Sequence, residues 1–307
     1  MDMYQKRKMR RENRENLNQE EKFHKVVLNW YPGHMAKTKR EIKEKIDLID
    51  IVYEVIDARM PKSSKIIDLD DVIGNKKRVL IVTKYDLCDK EVTDKFLNDY
   101  SKNYPVIKVN LKNNDNSLVK KIIDLTNELL KDINIKRQEK GLNKRNFRAL
   151  VVGVPNAGKS TLINRLVGRN AAKTGNMAGV TKNLSWIRVN NNIELLDSPG
   201  ILWPKFEDQT VALNLASLTS IKEEILDREM ISSYILSFLY QNYPNILEEK
   251  YKIKEVDLEN IQDTFDEIGK RRGCLLKGGI IDYEKVYSII INDLKEGKIS
   301  NITFDRY

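Results

Sequence analysis

Hydrophobic residues along the first two thirds of the chain follow two alternating patterns, which predict strands and helices in turn. Continuous apolar runs predict strands at residues 49–57, 78–83, 106–110 and 147–154, and a hairpin over 184–190 and 193–197. Helical spacing of apolar residues predicts intervening helices at residues 34–47, 66–73, 91–102, 117–140 and 159–167. Continuous apolar strands that alternate with helices indicate an α/β fold with a mostly parallel sheet, covered by helices on both faces.

The apolar strand pattern stops after Pro204, and helical spacing continues alone. It predicts helices at residues 210–221, 228–240, 246–251, 258–270 and 283–294. The change of pattern divides the chain into a basic N-terminal arm (1–27), an α/β domain (28–203) and an all-α C-terminal domain (204–307).

The charge of the chain changes this picture by suggesting a partner. Its 307 residues carry a formal net charge of +9. This excess favours a polyanion such as nucleic acid over an anionic membrane surface, and the alternative is a solvated basic surface without a partner. No apolar run approaches the roughly 20 residues that cross a bilayer, and the polar N-terminus lacks the apolar region of a signal peptide. With two cysteines, Cys88 and Cys274, expected to be reduced, the composition predicts a cytoplasmic protein that does not bind membranes.

The strongest chemical signal is a phosphate-binding loop at residues 153–160. The segment Gly153-Val154-Pro155-Asn156-Ala157-Gly158-Lys159-Ser160 lies between a predicted strand and a predicted helix. In such a loop the backbone N–H groups surround the phosphates, while Lys159 reaches the β- and γ-phosphate oxygens and Ser160 binds Mg²⁺. Gly158 lets the backbone approach a phosphate closely because it has no Cβ.

A second motif has the position and spacing of a γ-phosphate sensor. Asp197-Ser198-Pro199-Gly200 ends a predicted strand about forty residues after Lys159. We expect the Asp197 carboxylate to hold Mg²⁺ and the Gly200 N–H to meet the γ-phosphate. Thr181 lies between the two motifs and is predicted to bind the same Mg²⁺ through its hydroxyl, the alternative being an ordinary loop threonine.

A third motif, Thr83-Lys84-Tyr85-Asp86, predicts selection of guanine. A carboxylate at Asp86 accepts hydrogen bonds from the ring N–H and the exocyclic amine of guanine, a pair that adenine lacks. Lys84 is expected to lay its apolar stem along the purine. Thr83 occupies a position that usually holds asparagine, so we expect fewer bonds to the base and the neighbouring loop. The backbone amide of Asn110 is a weaker candidate for the guanine oxygen.

The order of these motifs is reversed relative to an ordinary GTPase, because the guanine motif precedes the phosphate loop by about seventy residues. This order predicts a circularly permuted P-loop GTPase domain. An ATP-binding P-loop protein is an alternative that Asp86 argues against. The predicted GTP or GDP contacts are Thr83, Lys84, Asp86, Asn110, Asn156, Ala157, Gly158, Lys159, Ser160, Thr161, Asp197 and Gly200.

Beyond these motifs, three segments resemble one family of permuted GTPases. They are Trp30-Tyr31-Pro32-Gly33-His34-Met35-Ala36-Lys37, Asp57-Ala58-Arg59-Met60-Pro61 and Leu202-Trp203-Pro204-Lys205-Phe206. Together with the permuted motifs and residues 269–274, they resemble the ribosome biogenesis GTPase A (RbgA/YlqF) family from about residue 28 to the end. The resemblance implies a GTPase that binds the immature large ribosomal subunit and its rRNA and promotes late assembly. We expect hydrolysis to drive release and the protein to be monomeric off the ribosome.

The residue that orients the attacking water is not where many GTPases place it. A glutamine often follows the sensor motif, but here the next residues are Ile201 and Leu202, which cannot orient water. His34 is a candidate substitute, so the predicted catalytic residues are His34, Lys159 and Thr181. The alternatives for His34 are a cap on the helix that it opens or a contact with RNA.

Asn156 suggests a K⁺ ion beside the phosphates. In the potassium-stimulated GTPases that this chain resembles, an asparagine at this place helps to hold K⁺, which adds positive charge near the transferred phosphate. The alternative is an asparagine that satisfies backbone groups of its own loop.

Two basic clusters outside the nucleotide motifs suit contact with RNA phosphates. One comprises Lys136, Arg137, Lys140, Lys144 and Arg145, and the other comprises Lys270, Arg271, Arg272 and Lys277. The alternative is that these are solvated charges at helix ends. A nucleotide-gated rRNA-binding scaffold with incidental hydrolysis is the main alternative function, and the short link at residues 201–206 predicts coupling between the sensor and the helical domain.

Overall fold

The computed structural model describes residues 33–113, 116–168, 184–189, 193–200, 208–218, 227–258 and 260–307. Its strands are β1 (Ile51–Asp57), β2 (Lys77–Thr83), β3 (Val106–Lys108), β4 (Phe147–Gly153), β5 (Ser185–Arg188) and β6 (Ile193–Asp197). Its helices are α1 (Gly33–Lys45), α2 (Leu69–Ile73), α3 (Lys90–Ser101), α4 (Asn116–Glu139), α5 (Lys159–Val167), α6 (Gln209–Ser217), α7 (Arg228–Asn242), α8 (Pro244–Tyr251), α9 (Gln262–Arg271) and α10 (Tyr283–Lys295), with a 3-10 turn at Ile46–Leu48.

The strands form one six-stranded sheet in the order β3-β2-β1-β4-β6-β5. All neighbouring pairs are parallel except β5 and β6, which pair antiparallel as the predicted hairpin requires. The register places Asp57 beside Thr83 and Val151 beside Asp197. Because the carboxyl ends of parallel strands meet at one edge, the guanine motif and both phosphate motifs emerge on the same side of the sheet.

Alternate residues of the central strands pack against different helices. Tyr53 and Val151 belong to a core that includes α4 and α5, whereas Val52 and Leu150 pack with residues of α1 and α2. Both faces are therefore covered, which explains why β1 and β4 are apolar at consecutive positions. This arrangement confirms the predicted fold.

Several predicted elements have different bounds in the structure, and three of them illustrate the differences. Helix α2 begins at Leu69, and α9 begins at Gln262. Strand β3 ends at Lys108 because Asn110 forms a turn in which its side-chain oxygen accepts from the Lys112 N–H at 2.9 Å. The hairpin turn at residues 190–192 lies outside the described residues.

The C-terminal helices form their own packing and then return the chain to the sheet domain. Helix α10 packs on α7 and α9. After α10, the Phe304 N–H donates to the Arg59 carbonyl at 2.7 Å, and Asp305 accepts from the Ser63 N–H at 2.8 Å. The end of the chain is thus anchored beside the carboxyl end of β1, while the predicted division at 203/204 lies outside the described residues and stays a prediction. Among the helices that are described, none is both long and apolar enough to span a bilayer.

Candidate functional site

The phosphate loop connects the carboxyl end of β4 to the first turn of α5. Gly158 adopts a left-handed conformation with φ of 97° directly before the helix begins at Lys159. A Cβ at this position would lie 3.3 Å from Thr83 Cγ2, so glycine suits both the backbone and the space. The predicted contacts Ala157, Ser160 and Thr161 lie in this loop and in the first turn of α5. N–H groups at a helix N-terminus favour bound phosphate, and contact of these three residues with the nucleotide remains a prediction.

Lys159 is buried within this loop. Its Nζ donates to the carbonyls of Gly153 at 3.0 Å and Val154 at 2.9 Å. Burial lowers the pKa of Lys159 to about 8, while the charge of Asp197 acts in the opposite direction. A phosphate group would therefore meet an ammonium that is already placed inside the loop.

Raising the pH above about 8 should weaken GTP binding, because the amine of Lys159 in the free protein loses its proton there. Phosphate oxygens favour the charged ammonium and raise its pKa in the complex, so binding is strongest below about pH 8 and falls at higher pH by up to about tenfold per unit. Titration with a fluorescent GTP analogue between about pH 7 and about pH 9.5 measures this slope. Lys159→Arg is the matched control, since guanidinium stays charged, and equal slopes in both proteins would contradict the prediction.

The sensor motif packs directly on the phosphate loop. Asp197 is buried at the end of β6, and the Ser198 hydroxyl donates to the Val151 carbonyl of β4 at 2.7 Å. A Cβ at Gly200 would lie only 2.7 Å from Pro155 Cγ, so glycine is the residue that permits this approach. A side chain at position 200 would therefore clash with Pro155 of the phosphate loop.

The donor set at this edge fits Mg²⁺. Asp197 presents a buried carboxylate that interacts electrostatically with Lys159, and Ser160 adds a hydroxyl in the first turn of α5. Mg²⁺ prefers oxygen donors and is commonly held by one or two protein ligands together with substrate phosphates. The third predicted ligand, Thr181, lies outside the described residues.

Thr83 contacts the backbone of two neighbouring segments through its hydroxyl. Its hydroxyl is fully buried and lies 3.0 Å from the Ile56 carbonyl and 2.6 Å from the Ala157 carbonyl, with geometry for donation to either. Thr83 therefore braces β2 against β1 and against the phosphate loop. The hydroxyl reaches the backbone of the neighbouring loop, and the predicted reduction in bonds relative to asparagine at this position stays a prediction.

Lys84 joins the guanine motif to the phosphate loop through its ammonium group. It has a positive φ of 55°, and its Nζ donates to Asp57 Oδ2 at 2.7 Å and to the Asn156 carbonyl at 2.8 Å. Asp86 follows as an exposed carboxylate in a turn closed by the Leu87 N–H on the Lys84 carbonyl at 2.9 Å. Contact of the Lys84 stem and of Asp86 with the base remains a prediction.

Asn110 lies next to this motif in space. The Tyr85 N–H donates to the neighbouring Val109 carbonyl at 3.4 Å, and Arg165 of α5 donates to the Leu111 carbonyl at 2.9 Å. These bonds and the turn at Asn110 bring its backbone to the same edge as the guanine motif. Contact of its amide with guanine remains a prediction.

Asp57 and Arg59 are site residues whose role the sequence did not reveal. Asp57 is buried between Lys84 and Arg59, whose Nη2 donates to Asp57 Oδ2 at 2.9 Å. Burial acts to raise the pKa of Asp57, but the charges and hydrogen bonds of Arg59 and Lys84 outweigh it and hold that pKa well below its usual range. The available signal was an aspartate at the end of an apolar strand, where a charge needs a buried partner.

Two predicted residues are only partly placed. The backbone of His34 lies in the first turn of α1, and its side chain lies outside the described residues. Asn156 has a left-handed backbone with φ of 59°, and its carbonyl accepts from Lys84. Their predicted roles in hydrolysis and in K⁺ binding stay predictions.

Comparison with known proteins agrees with the motifs and the fold. A family model described as 50S ribosome-binding GTPase matches residues 148–266, which include the phosphate loop and the sensor motif. Ribosome biogenesis GTPase A of Bacillus licheniformis is 45% identical over 282 residues, covering 92% of this chain and 99% of the relative. The protein of the same name from Thermotoga maritima is 28% identical, over 91% of this chain and 94% of the relative.

Solved structures of YlqF from Thermotoga maritima share the architecture. The GNP-bound structure is 26% identical with a TM-score of 0.60, and it covers 88% of this chain and 98% of that chain. The GDP-bound structure is 26% identical with a TM-score of 0.59. The relatives cover about nine tenths of this chain, and in this chain the phosphate loop and the sensor motif follow neighbouring parallel strands. The chain therefore belongs to the ribosome biogenesis GTPase A family, and it is a GTP-hydrolysing enzyme.

Proposed function

We propose that this protein binds the precursor of the large ribosomal subunit and promotes its late assembly, with GTP hydrolysis driving release. The observation that carries the proposal is the packing of Leu87, the residue after the guanine motif, against the C-terminal helical region. A Cβ at Gly297, just after α10, would lie 3.0 Å from Leu87 Cδ1, and Leu87 directly follows the guanine motif. Nucleotide occupancy is thereby connected to the part of the chain that we propose contacts RNA.

Within the two basic clusters, the exposed lysines are better placed to contact RNA than the arginines that pair with carboxylates. Arg145 is held by Asp50 at 2.6 Å and Arg272 by Asp293 at 3.1 Å, so these guanidinium groups stabilise the fold. The exposed lysines of the two basic clusters are Lys136, Lys140, Lys144, Lys270 and Lys277. If they contact rRNA phosphates, binding to the subunit should weaken steeply as salt rises.

The proposed cycle places GTP recognition in the described loops. Ser160 and Asp197, with Thr181, would hold Mg²⁺, which when bound adds positive charge at the phosphates. Gly200 would present its N–H to the γ-phosphate from its place against Pro155. We propose that the protein acts as a cytoplasmic monomer between its encounters with the ribosome and does not bind membranes.

The test is the rate of GTP hydrolysis with and without purified large-subunit precursor. We expect at least a roughly tenfold rise, since partners that complete a GTPase site raise turnover by large factors. Purified small subunits serve as the control. Equal rates with and without the precursor would contradict the proposal.

Measurement of the rates in K⁺ and in Na⁺ tests Asn156 as a K⁺ ligand. Equal rates in the two salts would contradict that role.

His34→Ala should lower the stimulated turnover roughly 100-fold and leave GTP affinity unchanged, since general catalysis by one side chain contributes on this scale. The chain offers a matched control in His24→Ala, which changes its other histidine. Multiple-turnover phosphate release and equilibrium nucleotide binding separate the two effects. Unchanged turnover in His34→Ala would leave the water-orienting role without support.

The alternative function is an rRNA-binding scaffold whose hydrolysis is incidental. It is favoured if a variant that cannot hydrolyse GTP still supports assembly of the large subunit. Asp197→Ala tests this in cells, with subunit profiles as the measurement.

A further inference from the structure

A chain of charges, buried at Asp57 and Arg59 and half-buried at Lys84, runs from the phosphate loop to the last helix of the C-terminal region. The Asn156 carbonyl accepts from Lys84 at 2.8 Å, and Lys84 donates to Asp57 at 2.7 Å. Arg59 donates to the two oxygens of the same carboxylate, from Nε at 3.1 Å and from Nη2 at 2.9 Å. Asp57 is therefore the single acceptor that two cations share.

Arg59 uses its remaining nitrogen to reach α10. Its Nη1 donates to the carbonyl of Leu294 in the last turn of that helix at 2.9 Å. The side chain is 1% exposed, so these bonds form away from water. A cation at a helix C-terminus is favourable because the terminal carbonyls carry partial negative charge. The guanidinium of Arg59 thus satisfies two separate acceptors, the Asp57 carboxylate and the Leu294 carbonyl.

A second contact connects the same two regions by packing. The Ile302 N–H donates to the Leu87 carbonyl at 3.4 Å, and the side chain of Leu87 lies against Gly297. Leu87 directly follows Asp86, so the guanine motif is held at its end by the C-terminal segment. The positive φ of 78° at Gly297 turns the chain after α10 and brings it to this place.

We infer that Arg59 is a positioning residue for guanine-nucleotide binding. It transmits the position of α10 to Lys84 through Asp57, and the contact of Leu87 with residues 297–302 acts on Asp86 in parallel. A partner that displaces α10 would therefore loosen the guanine motif and speed nucleotide release. The inference concerns nucleotide binding by the free protein, so it stands or falls independently of the proposed role on the ribosome.

The physical reason is the geometry of guanidinium. A lysine at position 59 keeps the charge, but its ammonium is a compact donor that cannot bond both oxygens of Asp57 and the Leu294 carbonyl together. One buried acceptor then loses its partner, which favours rearrangement of the group. Lys84 is the other ligand of Asp57 and would move with it.

The experiment compares Arg59→Lys with the wild-type chain in stopped-flow release of a fluorescent GDP analogue and in steady-state hydrolysis. We expect release at least about tenfold faster and a KM for GTP raised by a similar factor, with kcat at saturating GTP within about twofold. A merely structural defect would lower the fraction of active enzyme and hence kcat. Wild-type release rates in Arg59→Lys would overturn the inference.

A second variant keeps the test decisive if Arg59→Lys does not fold. Leu87→Ala removes the packing on Gly297 and leaves the charged chain intact, and it should also speed GDP release severalfold. Tyr307→Phe is the matched control, because the Tyr307 hydroxyl bonds Asp99 of α3, away from the guanine motif. We expect it to release GDP at the wild-type rate. Equal release from Leu87→Ala and Tyr307→Phe would argue against transmission from the C-terminal region.

Discussion

Lys159→Ala should lower kcat/KM for GTP roughly 10³-fold, the scale expected when a group that stabilises the developing charge is removed from an active site. The amine is buried and is held by two carbonyls of the loop, from Gly153 at 3.0 Å and Val154 at 2.9 Å. Alanine removes the positive charge that meets the phosphates. It also removes the two bonds of the ammonium to the loop backbone, although the Val154 carbonyl still accepts from the Ala157 N–H at 3.3 Å.

Single-turnover hydrolysis and equilibrium nucleotide binding together check this result. Lys120→Ala is the matched control, since this exposed lysine of α4 lies outside the phosphate loop and should leave kcat/KM unchanged. Turnover within tenfold of wild type in Lys159→Ala would show that the loop lysine does not carry phosphate stabilisation. In cells, a Lys159→Ala chain that still supports subunit assembly would favour the scaffold function.

Asp86→Ala should lower affinity for GTP by at least about 100-fold, because it removes the acceptor for two donors of guanine and each bond to a charged group contributes about 1.5–3 kcal/mol. Asp86→Asn should instead change the preferred base. The amide oxygen of asparagine still accepts from the ring N–H, and its NH2 group donates to the carbonyl oxygen that xanthine carries in place of the guanine amine. We therefore expect Asp86→Asn to favour xanthosine triphosphate over GTP.

Competition among GTP, ATP and xanthosine triphosphate for a fluorescent nucleotide measures both effects. Asp71→Asn provides a matched control, because Asp71 is an exposed carboxylate on α2. Its preference should equal that of the wild-type chain. Retained guanine preference in Asp86→Asn would mean that another group reads the base, and the turn at Asn110 would become the first candidate.

The phosphate loop was predictable because its function depends on consecutive residues. Gly158 takes the left-handed conformation that the pattern requires, and the predicted helix begins at Lys159. Helix and strand periods are also local properties, and they identified the sheet and its two covered faces. Bounds differed by a few residues at several elements, and at β3 the strand ends where the side chain of Asn110 forms a turn.

The bracing contacts of Thr83 could not be predicted from local patterns, because they depend on neighbours that are distant in sequence. Its hydroxyl reaches the Ala157 carbonyl, 74 positions further along the chain. Only the register of β2 beside β1, with the phosphate loop emerging next to them, brings these groups together. The periodic spacing of apolar residues does not indicate which distant residues come into contact.

Coupling between nucleotide and helical region was predicted through the link at residues 201–206, which lies outside the described residues. Lengthening that link with flexible residues remains its test, and unchanged subunit-stimulated hydrolysis would contradict it. The tertiary structure adds a separate route through Leu87 and Arg59. The partner of Arg59 at Leu294 is 235 positions away, so no local pattern could indicate it.

The sequence by itself determined the chemistry of this protein, because the phosphate loop, the sensor and the guanine motif each act through residues close together in the chain. Their reversed order also indicated a permuted domain. Only the tertiary structure decided how these motifs support one another. A buried carboxylate such as Asp57 needs cationic partners, and the fold brings Arg59 and Lys84 to it. The anchoring of the C-terminal segment beside the guanine motif belongs to this second class, because packing between distant segments depends on the folded shape.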